Sequence, residues 1–421
     1  MRRSAYTTAS FGCSETIALV LAGGAGTRLK SLTLKHAKPA VNFAGKYRTI
    51  DFSLTNCLHS GLRRIGILTQ YKSHSLNAHI QHGWNFLRPE LNEYIELLPA
   101  QQRVRNEWYA GTADAVFQNL DIIAGQEPRY VLILAGDHVY KMDYRDMLQH
   151  HIRTNATLTI GCVEVPINRA REFGVMEIDN QNRILGFEEK PARPKPLHGR
   201  SDQALASMGV YVFNWSFLRK VLQRDSEDSS SNHDFGKDII PSLIGTAPVF
   251  AHCFRDKLTG RPGYWRDVGT IDGYFDAHME LLATRSPFEL FDSHWPILTY
   301  QPQHPPTQFT HDDEGRPGIA IDSIICDGCL ISGAQVKHSV ISPNVMIGGD
   351  TQIESAIILP NVEIGRHCKL RNVIIDQGCR LPAGTVIGQD QVHDRRIYHV
   401  SPGGVVVVSA ELLGAEICEV A

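Results

Sequence analysis

Along the first 285 or so residues, short branched-apolar runs alternate with stretches whose apolar positions recur at helical spacing. TIALVLA predicts a strand that runs into a loop. IDFSLTNCLHSG predicts a helix with Gly61 as its stop. RRIGILTQ predicts the next strand and YKSHSLNAHIQHGW the next helix; RYVLILAGDHVY and ATLTIGCVEV predict two further strands. Such a strand-then-helix rhythm predicts a largely parallel sheet with helices on both faces.

The rhythm changes between residues 286 and 310, where SPFELFDSHWPILTYQPQHPPTQF carries five prolines and little periodicity. That predicts a connecting segment. Beyond residue 318, branched aliphatics return every six residues: Ile325 and Ile331; Ile341, Ile347, Ile353 and Leu359; Ile364 and Leu370; Leu381 and Ile387. Gly, Asn, Asp or Pro fill many places between. This period predicts a parallel β-helix, each triangular coil taking three hexads with its aliphatics stacked inward. Phase slips, as between Ile331 and Ile341, mark loops or bent corners. The expected organisation is a frayed start over 1–15, a sheet-and-helix domain over 16–285, a linker over 286–310 and a coil domain over 311–421.

A chain of 421 residues exceeds one ordinary core, in agreement with two domains. Lys plus Arg total 42 against 45 Asp plus Glu, so the balance argues against a protein built to coat nucleic acid or an acidic membrane. No apolar run approaches the roughly 18 residues of a membrane span. The start, MRRSAYTTASFG, lacks the apolar region of a secretory signal. Nine cysteines without such a signal imply reduced thiols in the cytosol. Cys326 and Cys329, in CDGC, lack a second pair at zinc spacing, so small side chains stacked in the repeat are the preferred reading.

Candidate chemistry begins at LAGGAGTRL, Leu21 to Leu29. No P-loop frame exists there, and Leu29 occupies the third glycine place of a dinucleotide fingerprint. A plain turn and a phosphate cradle both stay open. Arg28 favours the cradle, because a guanidinium fits phosphate oxygens bidentately, and Lys38 adds a second cation. Asp137 follows the strand VLILAG, where open α/β sheets place their ligands. A carboxylate beside a polyphosphate calls for a divalent metal between them, although alone it could equally cap a helix. Asp267, in YWRDVGT, is a second candidate.

The stretches LAGGAGTRLKSLTLKHAKPAV, TQYKSHSL, LLPAQQR, EWYAGTADAV, LAGDHVYKMDY, FGVMEID, FEEKPA, ASMGVYVF, HDFGKDIIP and YWRDVGTIDGY resemble, in order, those of the bacterial glucose-1-phosphate adenylyltransferases. The similarity runs from about residue 16 to about residue 410. It implies the nucleotidyltransferase fold, a Rossmann-like, mostly parallel sheet, followed by a left-handed parallel β-helix. It also implies a cytoplasmic enzyme that makes ADP-glucose and pyrophosphate from ATP and glucose 1-phosphate with Mg2+. Leu21, Ala22, Gly23, Gly24, Gly26, Thr27 and Arg28 match the ATP cradle, and Tyr109 and Gly111 match nucleotide contacts, the glycine leaving room for the base. Arg28 and Lys38 match residues that hold the triphosphate, and Asp137 and Asp267 match the metal-binding aspartates. Lys190 matches the lysine that takes the sugar phosphate; Glu189, Ser207, Tyr211, Asp234 and Phe235 match the sugar pocket. Outside that motif Lys190 reads as a solvated lysine, and Ser207 and Tyr211 as strand residues with satisfied hydroxyls.

The resemblance further implies small anionic metabolites as effectors, with Lys35 and Arg48 at matching positions. His36, Gln377, Ala410 and Gly414 stand where sugar-bisphosphate-activated relatives carry arginine. Fewer guanidiniums predict a smaller or less charged activator. Exposed coil faces point to a homotetramer. A UTP- or GTP-dependent relative and a non-catalytic regulatory subunit are the competing readings. Arg28, Asp137, Lys190 and Asp267 are all present, which favours an active enzyme.

Overall fold

The computed structural model describes residues 12–24, 26–101, 108–257 and 259–410. Most of the expected frayed start, and Gly414, lie outside the described residues. The chain forms two compact units that interleave in sequence. The first gathers residues up to Gly24, Phe52–Ser73 and Trp84–Trp265; the second gathers Ala25–Asp51, His74–Gly83 and the chain from Arg266 onward.

In the first unit, β1 (Thr16–Ala22), β2 (Arg64–Thr69), β3 (Tyr94–Pro99) and β4 (Tyr130–Ala135) run parallel in the order β3-β2-β1-β4. β1 and β4 are buried almost throughout, which is why TIALVL and YVLIL are continuous apolar runs rather than alternating ones. β5 (Leu158–Pro166), β6 (Gly174–Ile178), β7 (Ile184–Glu189), β8 (Gln203–Asn214) and β9 (Val249–Cys253) complete the sheet. β8 runs antiparallel to β4, β5 and β6, while β9 is parallel to β5. Residues 190–202, which lead into β8, contain no helix to carry a crossover, so that half of the sheet is mixed.

β8 also slips register. Ser207 pairs with Cys162 but Val210 pairs with Gly161, leaving Met208 and Gly209 as a bulge. Helices Thr112–Phe117 and Trp215–Ser226 pack on the sheet with Phe235 and Ile239, and the core runs through Leu19, Ile133 and Phe213.

The second unit carries the coil. Between Leu281, where helix Ile271–Leu281 ends, and Gln308 the described chain has neither helix nor strand. Beyond it, three inward columns stack in parallel register. Ile331, Ile347, Ile364 and Leu381 form one column; Val336, Ile353, Leu370 and Ile387 form another. Ile325, Ile341, Ile358, Ile375 and Val408 form the third. The step along the first column is sixteen residues and then seventeen, not eighteen. The first step thus drops two residues and each later one a single residue, and Ile358 rather than Leu359 takes the inward column. The corners are residues with positive φ, also spaced by coil: Gly328, Asn344, Asn361 and Gly378 along one edge, Gly333, Asp350, His367 and Gly384 along another. Gly, Asn and Asp tolerate the left-handed conformation best, which explains the small polar residues between the aliphatics.

The described cysteines are free thiols. Cys329 sits in the coil core and donates to the Ser342 carbonyl at 3.2 Å, as expected for a stacked small side chain. Among the described residues no helix is long and apolar enough to cross a membrane.

Candidate functional site

The glycine loop starts at the carboxyl end of β1. The Leu21 carbonyl accepts from the Gly136 N–H at 3.1 Å, and Ala22 is buried. A Cβ on Gly23 would stand 3.3 Å from that of Gln70, whereas Gly24 faces open space. Gly26, in the second unit, has φ 64, a conformation that favours glycine. A Cβ there would also meet Thr33 at 2.9 Å and Lys38 at 3.0 Å. Its carbonyl accepts from Leu29 N–H and the Thr33 hydroxyl, which ties the turn to the 3-10 segment Thr27–Thr33.

That turn presents a compact ionic group within the second unit. Lys38 Nζ lies 3.0 Å from Asp267 Oδ1, and Arg28 Nη2 lies 3.8 Å from Oδ2. Lys38 and Asp267 are nearly buried, whereas the Arg28 side chain is 51% exposed. Gly269 backs the group: a Cβ there would stand within 3 Å of Lys38 Nζ, Asp267 Oδ1 and Arg28 Nη2. Such an array offers mobile positive charge to an anion while the carboxylate keeps the lysine in place.

In the first unit Asp137 lies two residues past β4, its carboxylate about one-quarter exposed, with His138 Nε2 3.6 Å from Oδ1. Carboxylate oxygens such as those of Asp137 and Asp267 are hard donors of the kind a divalent cation takes. Tyr109 is held by Gln70, whose Oε1 accepts from the Tyr109 N–H at 2.8 Å. Its hydroxyl donates to the Leu98 carbonyl and accepts from Asn119, so Tyr109 shapes the surface by position rather than by a spare hydroxyl. The space left by Gly111 is occupied by backbone: a Cβ would fall 2.3 Å from the His233 carbonyl oxygen and 2.4 Å from that of Asn232. On its Cβ side the glycine thus lets two backbone segments pack closely.

The residues that match the sugar pocket by resemblance also meet in the first unit. Lys190, with φ 50, follows the end of β7; its N–H donates to the Phe173 carbonyl and its Nζ lies 3.5 Å from Glu189 Oε1. A left-handed lysine is a strained conformation held by its surroundings. Burial pushes the Glu189 carboxyl up, Lys190 opposes that, and the Asp234 charge adds to it. Ser207 and Tyr211 flank the β8 bulge; burial raises the Tyr211 phenol and a hydrogen bond with Ser207 counters it. The rings of Tyr211 and Phe235 lie 5.8 Å apart. Asp234 is engaged internally: Oδ1 accepts from the N–H groups of Gly236 and Lys237, and Oδ2 from the Thr112 hydroxyl. It caps the turn that places Phe235, a role its sequence position did not reveal.

Lys35 is exposed, whereas Arg48 lines a cavity of about 240 Å³ in the second unit together with Lys46, His79, His304 and Gln377. Burial lowers the Arg48 pKa and Asp51 opposes that. Asp51 accepts from His79 at 2.6 Å, from Thr299 at 2.6 Å and from the Arg48 N–H at 2.8 Å. His36 and Gln377 bond to each other at 2.7 Å, and Ala410 packs on the coil core. Sequence reasoning missed Lys46, His79 and Gln70. A lone basic or amide residue carries no signal until the fold gives it neighbours.

The nucleotidyl transferase family profile matches residues 17–284, and the profile described as GlmU-like, C-terminal hexapeptide matches residues 305–408. The glucose-1-phosphate adenylyltransferase 2 of Alkalilimnicola ehrlichii is 53% identical over 403 residues, 96% of this chain and 95% of its own. The glucose-1-phosphate adenylyltransferase of Nitrosococcus oceani is 53% identical over 401 residues, 95% of each chain. That of Paramagnetospirillum magneticum is 54% identical over 409 residues, again 95% of each.

Proposed function

The chain belongs to the glucose-1-phosphate adenylyltransferases of the nucleotidyl transferase family, and from that premise we propose how its residues perform the reaction. It transfers the adenylyl group of ATP to α-D-glucose 1-phosphate, releasing ADP-glucose and pyrophosphate, the first step of glycogen synthesis. The observation that carries the reading is the Arg28–Lys38–Asp267 group, two cations on one carboxylate beside the glycine turn. The sugar phosphate oxygen attacks the α-phosphorus in line and pyrophosphate leaves opposite, so the protein's work is positioning and charge stabilisation. Arg28 and Lys38 hold the triphosphate and take up the charge that grows on the leaving group. Lys190 holds the sugar phosphate. Glu189, Ser207, Tyr211, Asp234 and Phe235 form the sugar pocket, and Asp234 also caps the turn that places Phe235. Asp137 and Asp267 would hold Mg2+, which supplies neutralisation and orientation of phosphate oxygens when bound.

The division at residues 285 and 311, the cytoplasmic location and the homotetramer belong to the same proposal. The effector reading rests on the Arg48 cavity, with Lys35 near it in sequence. The His36–Gln377 pair, which brings no guanidinium, supports an activator smaller or less charged than a sugar bisphosphate. Strong activation by fructose 1,6-bisphosphate at micromolar levels would overturn that part.

Pyrophosphate release with ATP, UTP, GTP and CTP in turn tests the whole reading. ATP should support turnover and Asp137→Asn should abolish it without unfolding the protein. Preference for UTP or GTP would reassign the donor. Near-wild-type turnover in folded Asp137→Asn would remove the metal assignment.

A further inference from the structure

His138 has no role in the reaction as described, yet its ring is fixed on three sides. Nδ1 lies 3.1 Å from the Met208 carbonyl oxygen. A carbonyl only accepts, so Nδ1 carries the hydrogen and Nε2 is the ring nitrogen left to offer a lone pair. That carbonyl falls within the β8 bulge, between the Ser207–Cys162 and Val210–Gly161 pairs. Gly209 completes the slot: its φ is 65, and a Cβ there would stand 3.5 Å from His138 Cε1. Trp265 closes the other side in an edge-on contact, with ring centroids 5.0 Å apart at 77°. The side chain is 13% exposed, and Nε2 lies on the Asp137 side.

The 3.6 Å from Nε2 to Asp137 Oδ1 is too long for a hydrogen bond. It is close to the spacing of two neighbouring ligands in one metal shell, about 3 Å for bonds near 2.1 Å. We propose that His138 Nε2 is a ligand of the divalent cation held by Asp137. The proposal rests on the cation reading above and adds a nitrogen to a shell otherwise supplied by oxygens. The Met208 carbonyl is then the outer partner that orients the imidazole, as metal-bound histidines require. A nitrogen ligand moves the site's preference from Mg2+ toward first-row transition ions. It also links the two halves of the chemistry: the bulge that orients His138 directly follows Ser207 of the sugar pocket.

The test uses the full chain with Mn2+ alone as probe, read by pulsed EPR for coupling to 14N and by the free-Mn2+ signal for affinity. Wild type should show the nitrogen coupling. His138→Asn keeps an N–H for the Met208 carbonyl but lacks the Nε2 lone pair; it should lose the coupling and bind Mn2+ about tenfold more weakly. Should that variant not fold, His138→Gln is read the same way. Asp137→Asn should remove the bound Mn2+ signal. Bound Mn2+ without nitrogen coupling in wild type, or coupling that survives in His138→Asn, would overturn the assignment of His138 and leave the cation reading standing. No Mn2+ bound by wild type, or binding unchanged in Asp137→Asn, would overturn the cation reading and this inference with it.

Discussion

Replacing Gly269 by alanine tests the ionic group without altering any of its members. The backbone there is one an alanine adopts freely, so the new methyl acts by contact alone. It would stand 2.7 Å from Lys38 Nζ, 2.8 Å from Asp267 Oδ1 and 2.9 Å from Arg28 Nη2. To reach an ordinary contact of 3.4 Å these atoms must retreat by about 0.5 to 0.7 Å. All three are side-chain ends, so the fold yields cheaply and stability should change by less than about 1 kcal/mol. Catalysis should not yield so cheaply. Misplacement by 1 Å costs on the order of a hundredfold in rate, so the variant should lose about ten- to a hundredfold in kcat, or about 1.4 to 2.7 kcal/mol. Initial rates of pyrophosphate release give kcat, and a thermal melt run alongside checks the fold. An unchanged kcat with an unchanged melt would refute the claim that Arg28, Lys38 and Asp267 surround the reacting phosphates.

Gly111→Ala should behave in the opposite way. Its methyl meets the backbone oxygens of His233 and Asn232, which cannot swing aside, so overpacking of about 1 to 3 kcal/mol should appear as a lower Tm. Lys190→Gly removes an ammonium and relieves a left-handed side chain; stability should hold while KM for glucose 1-phosphate rises at least about tenfold, the worth of one charged hydrogen bond. A drop in stability with an unaltered KM would contradict that assignment. His278 should make the protein acid-sensitive. Burial pushes its pKa down to about 4, against the hydrogen bond to the Tyr274 carbonyl, and its Nε2 accepts from the Ala44 N–H. The folded pKa lies below the unfolded one, so the unfolded chain binds the proton first. Its stabilising effect is complete above about pH 6.5 and is lost toward pH 4, about 3 kcal/mol in all. His151, also pushed down to about 4 by burial, adds to the slope. Urea melts across that range should show the decline, and His278→Gln should flatten it.

What could be read from the chain beforehand was whatever repeats over a few residues. TIALVL and YVLIL announced central strands because a strand buried on both faces cannot afford a polar position. The six-residue period announced the coil because each aliphatic needs a partner directly above it. Gly26 announced a backbone turn, since its φ of 64 favours a residue without Cβ. The resemblance carried the site residues but not their contacts. That Asp234 also caps the turn before Phe235, and that Gly111 lies against the His233 carbonyl, came only from the fold.

Local pattern alone thus determined the two kinds of architecture, the strands within them and the glycine turn after the first strand. Tertiary closure decided the rest: the antiparallel run of β8, the coil of seventeen residues rather than eighteen, the bulge that frees the Met208 carbonyl, and the pairing of His36 with Gln377. Periodicity records only which side of a strand or helix is apolar, a property of near neighbours. Register, corner length and side-chain partners are set when segments hundreds of residues apart in sequence must satisfy each other's hydrogen bonds in the same small volume.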